Sequence, residues 1–254
     1  MIKWKLFLTS LPVVLIITAV KICITEVIGL KGLMELSEIG YILTAGIFLI
    51  GFMLAGTMSD YKESEKLPGE VATQLETLEE ALDAASINGK NFNIKALKQN
   101  LAILGEAIYN WLYRVISPKQ MFESLEQFNE FINQLDKQEV SPSVTIRLRS
   151  ETNTLRKALT RIHVVNSTNF LATGYAMLEI ILVTIVSLLM ITTFKSLVAE
   201  GIIVFFVSLV YIYMYRLIKD IDAPFEYEKG RTPNAAEIQL FPIEDYLERL
   251  KKKI

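Results

Sequence analysis

Thr44-Ala45-Gly46-Ile47-Phe48-Leu49-Ile50-Gly51-Phe52-Met53-Leu54-Ala55-Gly56-Thr57-Met58-Ser59-Asp60-Tyr61 is the stretch on which the fold turns. It mixes small residues with aromatics, and no proline interrupts the chain between Gly40 and Pro68. A single helix of about 27 residues would measure about 40 Å. The hydrocarbon core of a bilayer is about 30 Å thick, so the stretch predicts a membrane-crossing helix that projects beyond the bilayer. One stripe at near-four-residue spacing carries Thr44, Phe48, Phe52, Ala55 or Gly56, Ser59 and Glu63. The plainer reading of that stripe is ordinary helix packing, with Gly46, Gly51, Ala55 and Gly56 allowing close approach.

Working outward, three more runs have the length of about 20 apolar residues that a crossing helix needs. The four spans run roughly from Leu6 to Leu30, Ile39 to Met58, Tyr175 to Phe194 and Leu197 to Leu217. The first reads as a span and not as a cleavable signal, because its apolar core is long and no small-x-small site follows it. Residues 1–58 therefore form a first hairpin, 59–174 a helical cytoplasmic domain, 175–217 a second hairpin and 218–254 a cytoplasmic tail. Between Ser59 and Gly174 lie 15 Asp/Glu and 13 Lys/Arg, so most of the charge sits in the middle domain. Lys3, Lys5, Lys62, Lys66, Arg156, Lys157, Arg161, Arg216 and Lys219 flank one side of the spans, and only Lys31 and Lys195 flank the other. That asymmetry predicts a multi-pass protein of the cell membrane with both termini in the cytoplasm.

The middle domain reads as four helices. Leu67-Pro68-Gly69-Glu70 opens the first, with Pro68 suited to a first turn. Val71, Leu75, Leu78 and Leu82 then recur at three- and four-residue spacing, and Ile87-Asn88-Gly89-Lys90 stops it. A second, from about Asn93 to Ile116, carries Leu97, Leu101, Leu104, Ile108 and Leu112 on one face. Ser117-Pro118 starts a third bearing Phe122, Leu125, Phe128 and Ile132. After Ser141-Pro142 a fourth runs through Ile146, Leu148, Leu155, Leu159 and Ile162. No period-two strand pattern is present, so the expected fold class is all-α: four transmembrane helices in two hairpins around a helical cytoplasmic domain.

Composition narrows the function. The chain has 254 residues, 52% of them hydrophobic and 21% charged, with a formal charge of −2 and a mean hydropathy of +0.36. That offers no basic field for nucleic acid. One cysteine, Cys23, allows no internal disulfide, and one histidine, His163, founds no His/Cys metal cluster. Phosphate loops, a Gly-x-Ser-x-Gly elbow and His-Glu-x-x-His are absent, so no enzyme and no cofactor is expected. Cys23 reads as a small packing residue, His163 as a surface or interface residue, and Glu76, Glu79 and Glu80 as a solvated helix face. Three ionisable residues fall inside spans. Lys21, Glu26 and Glu179 either snorkel to the interface or mark an ion or proton path.

The stretch Phe48-Leu49-Ile50-Gly51-Phe52, followed by Glu65-Lys66-Leu67-Pro68, resembles the bestrophin family of ion channels, whose second span carries a very similar Phe-x-x-Gly-Phe before a Leu-Pro. After the fourth span, Asp222-Ala223-Pro224-Phe225 resembles the family's Asn-Pro-Phe. The layout agrees over nearly the whole chain, the motifs over about 30 residues, and prokaryotic bestrophin-like proteins are the nearer comparison.

The resemblance implies a homopentamer in a lipid bilayer, conducting small inorganic ions through a central pore lined by the second span. Phe48 and Phe52 would be neck residues, and Thr44 falls where the family has a third apolar one. Ser59, Asp60 and Glu63 would stand at the cytoplasmic end of the pore. Family members in animals pass chloride and some bacterial ones favour cations. A five-fold ring of Asp60 and Glu63 would draw cations, unless both carboxylates pair with Lys62 or Lys66. Asp222, Pro224 and Phe225 carry the second motif. The dense acidic run that clasps calcium in some members is replaced by Glu226-Tyr227-Glu228-Lys229-Gly230, so no metal is expected. The tail, ending in Lys251-Lys252-Lys253, would wrap neighbours by resemblance, touch anionic lipid, or end as a solvated helix.

Two other functions fit the layout. A proton-driven stator-type subunit also places a large domain between spans two and three, and Glu179, Thr184, Ser187, Thr192 and Thr193 suit it. A non-conducting membrane scaffold is the third.

Overall fold

A computed structural model describes residues 4–29, 32–88, 94–136, 141–168, 172–227 and 236–254. Lys3, Leu30, Lys31, Gly89-Lys90, Asn93 and Glu228-Lys229-Gly230, named above, lie outside the described residues. In chain order the elements are α1 (Lys5–Glu26), β1 (Met34–Glu35), α2 (Leu36–Ser64), α3 (Leu67–Asn88), α4 (Ile94–Leu112), α5 (Pro118–Asp136), α6 (Pro142–Ser167), α7 (Ala172–Ile191), β2 (Thr192–Thr193), α8 (Leu197–Asp222) and α9 (Phe241–Lys253). The all-α expectation holds. One departure is the two-residue parallel ladder that pairs Met34 with Thr192 and Glu35 with Thr193. Strands this short have no sequence period to betray them.

The chain divides into two compact units. The first comprises Met1–Tyr61, Asn169–Ala223 and Pro233–Ala236. It holds helices long and apolar enough to cross a membrane at Lys5–Glu26, Thr173–Ile191 and Leu197–Asp222, together with the apolar part of α2. α1 lies along α8, and α7 packs on both. Ile39 and Ile50 of α2 meet Leu178, Ile185 and Leu189 of α7 and Tyr211 and Ile218 of α8 in one apolar cluster. The two turns at the ladder end approach closely at Gly32, where a Cβ would lie 2.5 Å from the backbone carbon of Thr192.

Lys21 does not snorkel. It is 1% exposed, and its Nζ donates to the carbonyls of Met190 (3.1 Å) and Thr192 (2.9 Å). Glu200, 4% exposed, lies 3.6 Å from that ammonium. Snorkelling fails because the polar partners stand beside the side chain, within the unit. Cys23, expected to pack, is exposed.

The second unit comprises Lys62–Thr168, Pro224–Thr232 and Glu237–Ile254. α3 packs against α6, α4 and α9; α5 closes the bundle against α4 and α6. Leu75, Leu78, Leu101, Leu104, Ile108, Leu125, Ile132, Leu155 and Leu159 are all at or below 1% exposure, as their helical spacing predicts. Each such side chain contributes roughly 1.5–3 kcal/mol on burial. Ser117 caps α5 reciprocally: Gln120 N–H donates to its Oγ at 3.3 Å, and its own N–H donates to Gln120 Oε1 at 2.9 Å, the capping-box arrangement.

Three expectations are corrected here. Ile146 is 66% exposed while Thr145 and Leu148 face the core; β-branched threonines occupy interior positions that an apolar count skips. Glu79 is 5% exposed, because Lys98 (3.3 Å) and Lys253 (2.8 Å) neutralise it. The tail lysines accordingly do not form a merely solvated end: Lys251 pairs with Glu106 at 3.0 Å, Lys253 with Glu79, and Arg249 with Glu76. Tyr246, 1% exposed, donates to Leu75 O at 3.1 Å. Tyr246→Phe should remove this second bond to a carbonyl inside α3 and lower stability by about 1 kcal/mol, measurable as a reduced unfolding midpoint in detergent.

Candidate pore-lining face

α2 is 29 residues long, and its sides differ. Ile39 (0% exposed) and Ile50 (6%) face the first unit's interior, and the helix meets Tyr211 of α8 at Leu43 and Gly46. Tyr211 Oη donates to Leu43 O at 2.5 Å, and a Cβ at Gly46 would lie 2.7 Å from that same oxygen. Only a glycine lets α2 come this near. With that side turned inward, the other is left open: Phe48 is 72% and Phe52 74% exposed. Thr44, Ser59 and Asp60 are exposed as well. The open sector is broader than the stripe, since Tyr41, Ile42, Ala45, Ile47, Gly51 and Ala55 flank it. Thr44 Oγ1 donates to Gly40 O at 2.9 Å, so its hydroxyl hydrogen is used within the helix.

Glu63 belongs to the second unit. Its hydrogen-bond partner is neither Lys62, which pairs with Glu65 at 3.1 Å, nor Lys66, whose charge acts on it as a smaller influence. Arg161 Nε and Nη2 donate to its two oxygens at 2.9 and 2.8 Å. This fork-to-fork bond holds the Glu63 carboxyl below the usual 4.5 despite some opposing desolvation. The pair's stabilisation is therefore present above 4.5 and is lost as the pH falls through the lowered value. Both side chains are largely exposed, which keeps that contribution small.

The second motif falls in both units. In the first, Asp222 accepts from Tyr175 Oη at 2.7 Å, and Asp220 accepts from Ala236 N–H at 3.2 Å. In the second, Pro224 O accepts from Ile238 N–H at 3.1 Å. Phe225 is 1% exposed beside Tyr227, whose hydroxyl donates to Ile238 O at 2.6 Å. These residues fasten the chain just after α8. Among the described residues no three His, Cys, Asp or Glu side chains are placed to hold a metal ion. His163 sits between the rings of Trp111 and Phe122, at centroid distances of 6.3 and 6.0 Å.

Of the in-span acids, Glu179 accepts from Tyr215 Oη at 2.7 Å. Sequence reading missed Tyr211 facing Gly46, Arg161 on Glu63 and Glu200 beside Lys21. The single hint was a buried-type acid, Glu200, in the first turn of an apolar helix.

No protein-family model and no curated protein matches the chain. Solved structures do. A bacterial bestrophin homologue from Klebsiella pneumoniae, in a substituted form, superposes with a TM-score of 0.73 at 14% identity over 95% of this chain and 97% of that one. Another substituted form of that homologue gives 0.70 at 14% identity over 96% of each. A crystallised membrane protein gives the same values. At such identity the likeness is one of fold: the chain has the fold of these bacterial bestrophin homologues over nearly its full length.

Proposed function

We propose that the chain assembles as a homopentamer in the cell membrane, termini in the cytoplasm, and conducts small ions through a bestrophin-like pore lined by α2. The observation that carries this is the open face of that helix, with Phe48 and Phe52 almost three-quarters exposed. A face meant for lipid is usually built of bulky apolar side chains, whereas Thr44, Ala45, Gly51 and Ala55 suit close neighbouring helices. Five copies of Phe48 and of Phe52 would make two apolar collars about 6 Å apart, one helical turn. An ion crossing them loses water without compensation, so the collars gate by dewetting. Planar bilayers containing the purified protein should pass current in a salt gradient; a silent membrane at every voltage and pH tested would contradict the reading.

The charge at the cytoplasmic end bears on which ions pass. Arg161 cancels the charge of Glu63, so a Glu63 ring imposes no cation preference at neutral pH, and chloride remains the ion the resemblance suggests. Arg161→Gln would take the bonded guanidinium off five carboxylates and should raise the cation-to-anion permeability ratio about threefold, read as a shifted reversal potential. Acidification has the opposite sign: once Glu63 takes up a proton, below 4.5, its negative charge is gone from the ring and anions gain.

A further inference from the structure

Three carbonyls at the end of α7 and the start of β2 are claimed by other parts of the first unit. Met190 O and Thr192 O accept from Lys21 Nζ at 3.1 and 2.9 Å, and Ile191 O accepts from Leu33 N–H at 2.7 Å. The last carbonyls of a helix have no partner within it, and inside a bilayer no water replaces one. Lys21 thus acts as a long-range cap, with its positive charge at the negative end of α7.

Glu200 completes the arrangement. It lies in the first turn of α8, the favourable end for an acid, accepts from Thr25 Oγ1 at 2.6 Å and stands 3.6 Å from Lys21 Nζ. The ammonium is closer to the carbonyls than to the carboxylate, and it lies over the Phe194 ring at 5.7 Å from the centroid. From α1, one side chain therefore grips the turn that joins α7 to α8.

That turn includes β2, and β2 pairs with β1. β1 ends at Glu35 and α2 begins at the next residue, Leu36. We infer that Lys21 is a positioning residue for the pore helix: by holding β2 it fixes, through β1, where α2 starts and hence the direction in which Phe48 and Phe52 leave the unit. The consequence for current rests on the channel reading; the placement of α2 does not.

The test uses the full chain in lipid nanodiscs and compares wild type with Lys21→Met, Glu200→Gln and the double variant, by hydrogen exchange and by single-channel recording. Lys21→Met and the double variant should both exchange about tenfold faster at residues 32–38 and 190–196, with α3–α6 unchanged. Glu200→Gln, in which Lys21 still holds the carbonyls, should remain within about threefold of wild type. The double variant matters because it leaves no unpaired carboxylate to unfold the protein. Its unitary current should also change by about twofold or more, which loosening elsewhere would not produce. Wild-type protection in the double variant would overturn the inference, since Lys21 would then merely balance Glu200; so would faster exchange with an unaltered unitary current. If the wild type itself carries no current, the channel reading fails, and the exchange comparison still decides the placement of α2.

Discussion

In planar bilayers Phe48→Ala/Phe52→Ala should pass about tenfold more current than wild type, equivalent to lowering the ion's barrier by about 1.4 kcal/mol. The expectation follows from two properties of the same side chains. In the chain by itself both rings are almost three-quarters exposed, so removing them opens no cavity in the subunit and costs its core little. In the proposed five-fold pore the same removal would take ten benzyl groups off the axis and widen the stretch that ions cross dry. The two effects separate cleanly. The unfolding midpoint should stay near that of wild type while the conductance rises. A conductance left unchanged would show that the collars do not gate, and a collapse in stability would place the rings in a packed core after all.

Gly46→Leu should destabilise the protein by about 1–3 kcal/mol, the usual cost of forcing extra carbons into a filled site. The Cβ alone would meet Tyr211 Oη at 2.7 Å, Tyr211 Cε1 at 3.1 Å and Ile181 Cγ2 at 3.2 Å. Tyr211 is 0% exposed, and any retreat breaks its bond to Leu43 O. α2 must therefore move, carrying the phenylalanines with it. Gly51 is the internal control, because a Cβ there has nothing within 4 Å in the chain. Gly51→Ala should fold at least as well as wild type, since alanine favours a helix by about 1 kcal/mol over glycine. Size-exclusion profiles after heating would report both. Equal midpoints for Gly46→Leu and wild type would mean that this contact does not set the face of α2.

How much of this could be read from residues alone depends on the range of the information. Span length is a one-dimensional property, so the four apolar runs were plain, and the three- and four-residue spacing of Leu75, Leu78, Leu101 and Leu104 exposed the inner faces of α3 and α4. The aromatic stripe of α2 was equally plain, but not why it faces outward, which rests on Tyr211 some 165 positions along the chain from Gly46. Lys21 was misread for the same reason: its main partners are backbone carbonyls of Met190 and Thr192, and no side-chain pattern announces a carbonyl. That Glu63 is covered was not legible either, since the guanidinium that bonds to it is 98 residues away. Thr145 shows the limit of periodicity itself, since a buried threonine beside an exposed Ile146 reverses the phase that hydrophobicity suggests.

In the proposed channel several copies of α2 surround one axis with Phe48 and Phe52 turned toward it. An electron cryomicroscopy map of the full chain in lipid nanodiscs tests that most directly. The expected map has five-fold symmetry, α2 innermost, and two rings of phenylalanine density one helical turn apart on the axis. A map in which these rings lie against the lipid belt, or in which other helices surround the axis, would contradict it.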